Sequence, residues 1–183
     1  MSRAQWRQRI AAGDSGGCLR ANRWSAGGGW RGYFAVVSRL GDGVFWYGLM
    51  AWLISFDGIA GLRASVHLAI TGLIALMLYT LLKRWTRRPR PFACDRRIQA
   101  WVAPLDEFSF PSGHTLHAVA FSLVAMAQYP MLAWLLVPFN ASVAVSRVAL
   151  GLHYPSDVLA ATAIGSAMAG LSLWLVPGVS LFV

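Results

Sequence analysis

The chain has 183 residues, about one domain's worth, and is 57% hydrophobic but only 13% charged, against roughly 25% charged in soluble domains. With nine tryptophans, that balance excludes an ordinary water-soluble domain and indicates a membrane protein. Sixteen basic against seven acidic side chains give a formal charge of +9; the basic residues stand beside apolar runs, so a lipid bilayer surface or an anionic substrate is the expected partner and nucleic acid is not.

Residues 1–32 are polar, with six arginines and a Gly27-Gly28-Gly29 stretch. They read as an Arg-rich tail, cytoplasmic or surface-lying, amphipathic from Ala4 to Ala12, without the apolar core of a cleavable signal peptide. A first apolar segment runs from about Tyr33 to Phe56, interrupted by Arg39 and Asp42. Its fully apolar part, Val44 to Phe56, is short beside the ~20 residues of a crossing, so the preceding turn has to be included. The second segment runs from Ala64 to Leu82 and leads into a basic block, Lys83 to Arg97. Residues 92–110 form a mixed loop with Asp106 and Glu107. The third segment is Gly113 to Gln128, broken by Tyr129-Pro130; the fourth is Met131 to about Leu150; the fifth is Ser156 to Val176, ended by Pro177-Gly178. Open strands cannot span lipid. The expected fold is therefore all-α, an integral membrane bundle of about five transmembrane helices over residues 33–183. Cys18 and Cys94 have no metal-ligand spacing and read as unpaired thiols.

Three polar clusters stand at the ends of these segments: Lys83 to Pro91, Phe110 to His114, and Ser146 to Asp157. Alternate crossings put all three on one face of the membrane. Lys83, the only lysine, and Arg90 and Arg147 are cations suited to phosphoryl oxygens, arginine as a bidentate donor and lysine as a point charge. Lys83 and Arg90 share a helix face if the helix continues that far. Arg84, Arg87, Arg88, Arg96 and Arg97 read instead as a positive-inside anchor. Ser112 occupies an N-cap position, so the N–H groups of Gly113 and His114 point outward as an anion cradle. His153 and Asp157 are four apart with Pro155 between them, which lets a first-turn carboxylate reach back to the ring; the plain alternative is an interfacial histidine beside a capping aspartate. Asp14, Asp42 and Asp57 fall outside the clusters, and Asp95, Asp106 and Glu107 show no ligand spacing with the histidines. A two-metal site needs several converging carboxylates or histidines, so phosphoryl transfer without metal or cofactor is expected. His117, one turn beyond His114, either lines the pocket or packs the helix; His67, in mid-span, has no assigned role.

Together the clusters resemble the signature of the type 2 phosphatidic acid phosphatase family, which shares its site with vanadium haloperoxidases. The pattern is Lys-x6-Arg-Pro, then Pro-Ser-Gly-His, then Ser-Arg-x5-His-x3-Asp. Lys83, Arg90-Pro91, Pro111 to His114, Ser146-Arg147, His153 and Asp157 match every fixed position. The second Arg-Pro pair, Arg88-Pro89, would put Leu81 at the lysine position. The resemblance covers about residues 40–175 and implies the following roles. His153 attacks phosphorus and forms a phosphohistidine, and Asp157 orients it. His114 protonates the leaving oxygen and then activates water, while Lys83, Arg90, Ser112, Gly113 and Arg147 hold the phosphoryl oxygens. It also implies a bacterial cell-membrane enzyme that releases phosphate from undecaprenyl diphosphate, phosphatidate, phosphatidylglycerol phosphate or lipid A. Size leans towards the polyprenyl diphosphate. Charge favours a cytoplasmic site, whereas the resemblance favours a periplasmic one. A non-catalytic lipid-phosphate binder or transporter is the rival of a different class.

Overall fold

Inside a bilayer every backbone N–H and C=O has to pair within the protein, and the elements observed are all helical. The computed structural model describes residues 3–176, with side-chain surroundings from residue 12 onward; the expected stop at Pro177-Gly178 and most side chains of the expected amphipathic stretch Ala4–Ala12 lie outside these. In chain order the helices are α1 (Arg3–Trp24), α2 (Gly28–Arg39), α3 (Phe45–Thr86), α4 (Pro91–Cys94), α5 (Gly113–Gln128), α6 (Ala133–Ala149) and α7 (Pro155–Leu175). A π turn, Leu40–Val44, joins α2 to α3.

The long α3 is a hairpin of two crossings. Gly58, at φ 53° and ψ −119°, reverses the chain, a conformation that costs glycine nothing sterically. The arms then pack so closely that a Cβ on Gly61 would lie 1.9 Å from the carbonyl oxygen of Leu53, and Ser65 Oγ donates to Met50 O at 3.1 Å. With α5, α6 and α7 these arms make the five-helix bundle. The stretches Gly28–Cys94, Pro130–Ala149 and Pro155–Leu175 are long and apolar enough to cross a membrane. Helix α5 is shorter but lies at the centre, packed by α3, α6 and α7. Its Phe121 and Val124 join Trp46, Leu53, Leu68 and Leu136 in the main core. On α7 the small residues Ala161, Gly165 and Ala169 form a buried stripe. A Cβ on Gly165 would meet Leu116 O at 2.8 Å, so small side chains set this interhelical distance.

His67 is accounted for within this packing. Its Nδ1 accepts from Gln128 Nε2 at 3.2 Å, which leaves Nε2–H to donate to Ser172 Oγ at 2.6 Å. The ring stitches α3, α5 and α7 together and satisfies itself. At the same end of the bundle as Gly58, the Tyr129 hydroxyl donates to Asp57 at 2.7 Å.

Helix α1 lies against α6 and α7. Asp14, Cys18, Asn22 and Ser25, at helical spacing, are all buried. This buried stripe is polar. Asn22 Nδ2 donates to Gln99 O and Ala149 O, both at 2.9 Å, and Ser25 Oγ donates to Ala149 O at 2.8 Å. The Cys18 thiol points at the carbonyls of Val148 and His153, at 3.8 and 3.7 Å. Burial, with Asp157 and Asp14 nearby, pushes its pKa up to about 12, so Cys18 stays a protonated, weakly donating thiol.

Candidate active site

The three polar clusters converge at one end of the bundle, and the chain between them explains how. Helix α3 does not run on to Arg90, as a shared face for Lys83 and Arg90 would require. It stops at Thr86, with Arg87 left-handed at φ 47°. Pro89 and Pro91 disfavour helix for the residues before them and lack N–H donors. Arg90 therefore approaches in extended chain, yet meets Lys83 through a common partner, Asp106. Lys83 Nζ donates to both Asp106 carboxylate oxygens at 2.7 Å and to Phe108 O at 3.0 Å. Arg90 donates from Nη2 to Asp106 Oδ1 at 2.8 Å, from Nε to Asp106 O at 2.9 Å, and from Nη1 to Leu152 O at 2.8 Å. Burial raises the Asp106 pKa, but the Lys83 ammonium and Arg90 guanidinium outweigh it and hold the group below the usual carboxylate range. One carboxylate thus bridges these two cations.

Ser112 caps α5 as expected, accepting from Thr115 N at 3.5 Å. Its own N–H donates to Asp157 O at 3.3 Å, which ties the second cluster to the third. Gly113 and His114 open the helix and line the cavity. Arg147 ends α6 with its side chain buried; Nη1 donates to Ser38 Oγ, while the buried Nε has no protein partner. The Arg147 carbonyl accepts from the N–H groups of Leu152 and His153, both at 3.1 Å. That turn brings His153 back beneath Arg147 and Arg90.

His153 is buried, and its Nδ1 lies 2.6 Å from Ser109 O. A carbonyl only accepts, so Nδ1 carries the proton and Nε2 is unprotonated, with its lone pair available as an acceptor. Arg90 Nη1 stands 3.4 Å from Nε2. Burial, and then the charges of Arg147, Arg90 and Lys83, push the His153 pKa well below that of an ordinary imidazole. The ring is neutral, with its lone pair towards the cations.

Sequence spacing suggested that Asp157 would sit on His153. The structure places Asp157 Oδ2 3.7 Å from Nδ1, beyond hydrogen-bond reach, and gives that proton to Ser109 O. Asp157 instead accepts from Tyr154 N at 2.9 Å and from Arg88 Nη1 at 2.6 Å. A carboxylate does contact a site histidine, but it is Asp42 on His114 Nε2. The π turn, with Gly43 at φ 132°, delivers it. Arg88, expected only as part of the positive-inside anchor, also pairs with Asp14 and Asp157, with its guanidinium 4.1 Å over the Tyr154 ring. Asp42, Asp106, Arg88 and the Ser109 carbonyl are thus what motif reading missed. One signal was available for Asp42, since an acid interrupting an apolar segment is itself a functional hint.

The site opens into a cavity of about 760 Å³ lined at one end by Lys83, Arg90, His114, Arg147 and His153. From there it runs between the arms of α3 along Tyr47, Met50, Leu73 and Leu76. Leu73 and Leu76 are exposed on the lipid-facing side. His117 also lines it, within reach of Gly72 O at 3.1 Å and Gly113 O at 3.2 Å, so it serves both the pocket and the packing. Among the described residues, no three His, Cys, Asp or Glu side chains are grouped to hold a metal ion.

Comparison with known proteins identifies the family and the fold. The profile of the PAP2 superfamily matches residues 63–180. The undecaprenyl-diphosphatase BcrC of Bacillus subtilis is 32% identical over 111 residues, 61% of this chain and 56% of that protein; the match spans little more than half of that relative's length. An undecaprenyl-diphosphatase of Sulfolobus acidocaldarius is 28% identical over 143 residues, 78% of this chain and 68% of that one. The fold is shared with the crystal structure of a transmembrane PAP2-type phosphatidylglycerolphosphate phosphatase from Bacillus subtilis. The TM-score is 0.78 at 20% identity, covering 96% of this chain and 90% of that one.

Proposed function

The chain belongs to the PAP2 superfamily, and from that premise we propose that it hydrolyses the phosphate or diphosphate of a membrane lipid through a phosphohistidine on Nε2 of His153. The observation that carries this is the state of His153: Nδ1–H is committed to Ser109 O, and the unprotonated Nε2 faces Arg90. In the first step the Nε2 lone pair forms the N–P bond while the P–O bond to the leaving group breaks. His114, held by Asp42, gives its proton to the leaving oxygen. The ring, now bonded at both nitrogens, carries positive charge that Asp157 at 3.7 Å offsets. In the second step His114 takes a proton from water, the water oxygen attacks phosphorus, and the N–P pair returns to Nε2 as phosphate leaves. Lys83, Arg90 and Arg147, with the N–H groups of Gly113 and His114, hold the equatorial oxygens, where charge spreads in the transition state. Phosphate must take the place of Asp106 on Lys83 and Arg90. No step needs a metal or cofactor.

A lipid substrate is supported by the cavity's course between the arms of α3 towards the bilayer. Undecaprenyl diphosphate is the favoured lipid because two relatives bear that activity in their names. The test is phosphate release by purified protein, in chelator, from undecaprenyl diphosphate, phosphatidate, phosphatidylglycerol phosphate and lipid A. The expected order puts undecaprenyl diphosphate first. If another lipid leads, the substrate assignment fails; if none releases phosphate, the protein is a binder or transporter instead.

The role given to His114 makes its own prediction. Asp42→Asn lowers kcat by about 10- to 100-fold on a lipid substrate, up to the lower end of the roughly 10²- to 10⁴-fold that a general acid contributes, because the acid itself stays in place. The loss shrinks on p-nitrophenyl phosphate, whose leaving group needs no proton. Equal losses on both substrates would remove Asp42 from the acid's support.

Charge supports one side of the membrane for the site. The far end of the bundle carries Asp57 and Arg63, whereas the arginines of the basic block lie with the site, which favours a cytoplasmic site. Labelling of a cysteine placed at position 60 by an impermeant reagent in intact cells is expected; protection there would put the site on the outer face.

A further inference from the structure

We propose that Asp14, on the N-terminal helix, is a positioning residue for the nucleophile His153. The inference rests on the phosphohistidine reading above. Asp14 lies outside every motif in the chain, yet it is a buried acid at 6% exposure. Its Oδ2 is 2.7 Å from Arg88 Nη2, and its Oδ1 accepts from Ser156 N at 3.0 Å in the first turn of α7. Ser156 Oγ also donates to it. On its other side Arg88 reaches Asp157 Oδ1 at 2.6 Å and Ser156 Oγ at 2.7 Å. Carboxylate, guanidinium and carboxylate thus run in line from α1 to α7, and the next group along is the His153 ring.

The physical consequence concerns Asp157. A guanidinium is a rigid fork, and one gripped by two carboxylates over the Tyr154 ring has a single orientation. Held there, Arg88 draws Oδ1 of Asp157 away from the histidine, while Tyr154 N takes Oδ2. The acid stays 3.7 Å from Nδ1, and the Nδ1 proton stays with Ser109 O. Without the Asp14 charge, Arg88 has one ionic partner and can turn. Asp157 is then free to pull on Nδ1 and swing the ring, moving Nε2 off the line of attack. Asp14 is not among the residues lining the cavity, so it acts through Arg88 and substrate affinity is untouched.

Asparagine at position 14 keeps an oxygen for Ser156 N but removes the charge, which separates the ion pair from the helix cap. The experiment measures kcat and KM for lipid phosphate hydrolysis by the full chain in liposomes, with melting temperature in parallel. The variants are Asp14→Asn, Asp14→Glu, His153→Ala and Asn22→Ala, the last removing a purely backbone anchor of the same helix. Asp14→Asn lowers kcat about 10- to 100-fold, the scale of a misplaced reacting group, with KM within about twofold. Asp14→Glu, which keeps the charge, recovers most of the loss. Asn22→Ala lowers the melting temperature at least as far but leaves kcat within about threefold. If Asp14→Asn keeps wild-type kcat, or loses no more than Asn22→Ala at equal melting temperature, Asp14 is a structural strap and the proposal fails while the mechanism stands. If His153→Ala is as active as wild type, the mechanism fails first and takes the proposal with it.

Discussion

Replacement of His153 by alanine lowers lipid phosphate hydrolysis by about 10⁴- to 10⁶-fold, the scale seen when a covalent nucleophile is removed from an otherwise intact site. The size follows from what remains. Lys83, Arg90 and Arg147 still hold the phosphoryl group, so binding persists, but no side chain presents a lone pair at phosphorus. Water would have to attack directly in a site shaped for a ring nitrogen. Of the ring's partners, Arg90 keeps its other bonds, and the Ser109 carbonyl, which loses its bond to the ring, can accept from water admitted into the space the ring leaves. The variant should therefore fold and bind its lipid. Single-turnover assays with a ³²P-labelled lipid check this: wild type yields an acid-labile, base-stable phosphoprotein, and His153→Ala yields none. Acid-stable label, or label retained in the variant, would assign the nucleophile elsewhere.

Arg90→Lys has the second largest effect, a fall in kcat/KM of about 10²- to 10³-fold, comparable with the loss of one oxyanion donor. Arg90 is almost fully buried at 2% exposure. Its fork serves Leu152 O, Asp106 O and the Asp106 carboxylate from three different nitrogens and still stands beside Nε2 of His153. An ammonium has the charge but neither the planar geometry nor the donor count. Lysine is a fairer test than alanine, which would strand Leu152 O and Asp106 in the interior and confuse catalysis with folding. Arg96→Lys, on an exposed residue of the same block that does not line the cavity, serves as the control and stays within about twofold. Equal effects at the two positions would mean that Arg90 contributes charge alone.

The bundle and most of the site were legible in the sequence because they depend on local signals. Apolar length marks a crossing, a serine before an apolar run marks a helix start, and the fixed spacings within each cluster survive folding. The parts that stayed hidden depend on contacts between distant segments. Asp42 and His114 are far apart in the chain, as are Asp14 and Arg88, and no spacing links them. The inner face of α1 escaped notice for a second reason: its stripe of Asp14, Cys18, Asn22 and Ser25 is polar, and hydrophobic periodicity is blind to a helix held by hydrogen bonds to carbonyls. The four-residue interval between His153 and Asp157 pointed to a direct bond. Spacing reports which residues can meet, and here Arg88 and Tyr154 N compete successfully for the carboxylate. The end of α3 was similarly overridden, by Pro89 and Pro91.

Helix α5 sets a dimension with a consequence for the surrounding membrane. Its 16 residues span about 24 Å at the α-helical rise, with His114 at one end and Tyr129, bonded to Asp57, at the other. The hydrocarbon layer of a bilayer is about 30 Å thick. With Asp57 at the far headgroup boundary, the catalytic floor lies several ångströms beneath the near one, below the plane where lipid phosphates normally float. The helices around α5 are longer, and the 21 residues of α7 span about 31 Å, the full layer, so the floor is recessed inside the bundle rather than level with its rim. An anionic headgroup therefore reaches the cations by sinking along the cleft while its tail stays in oil.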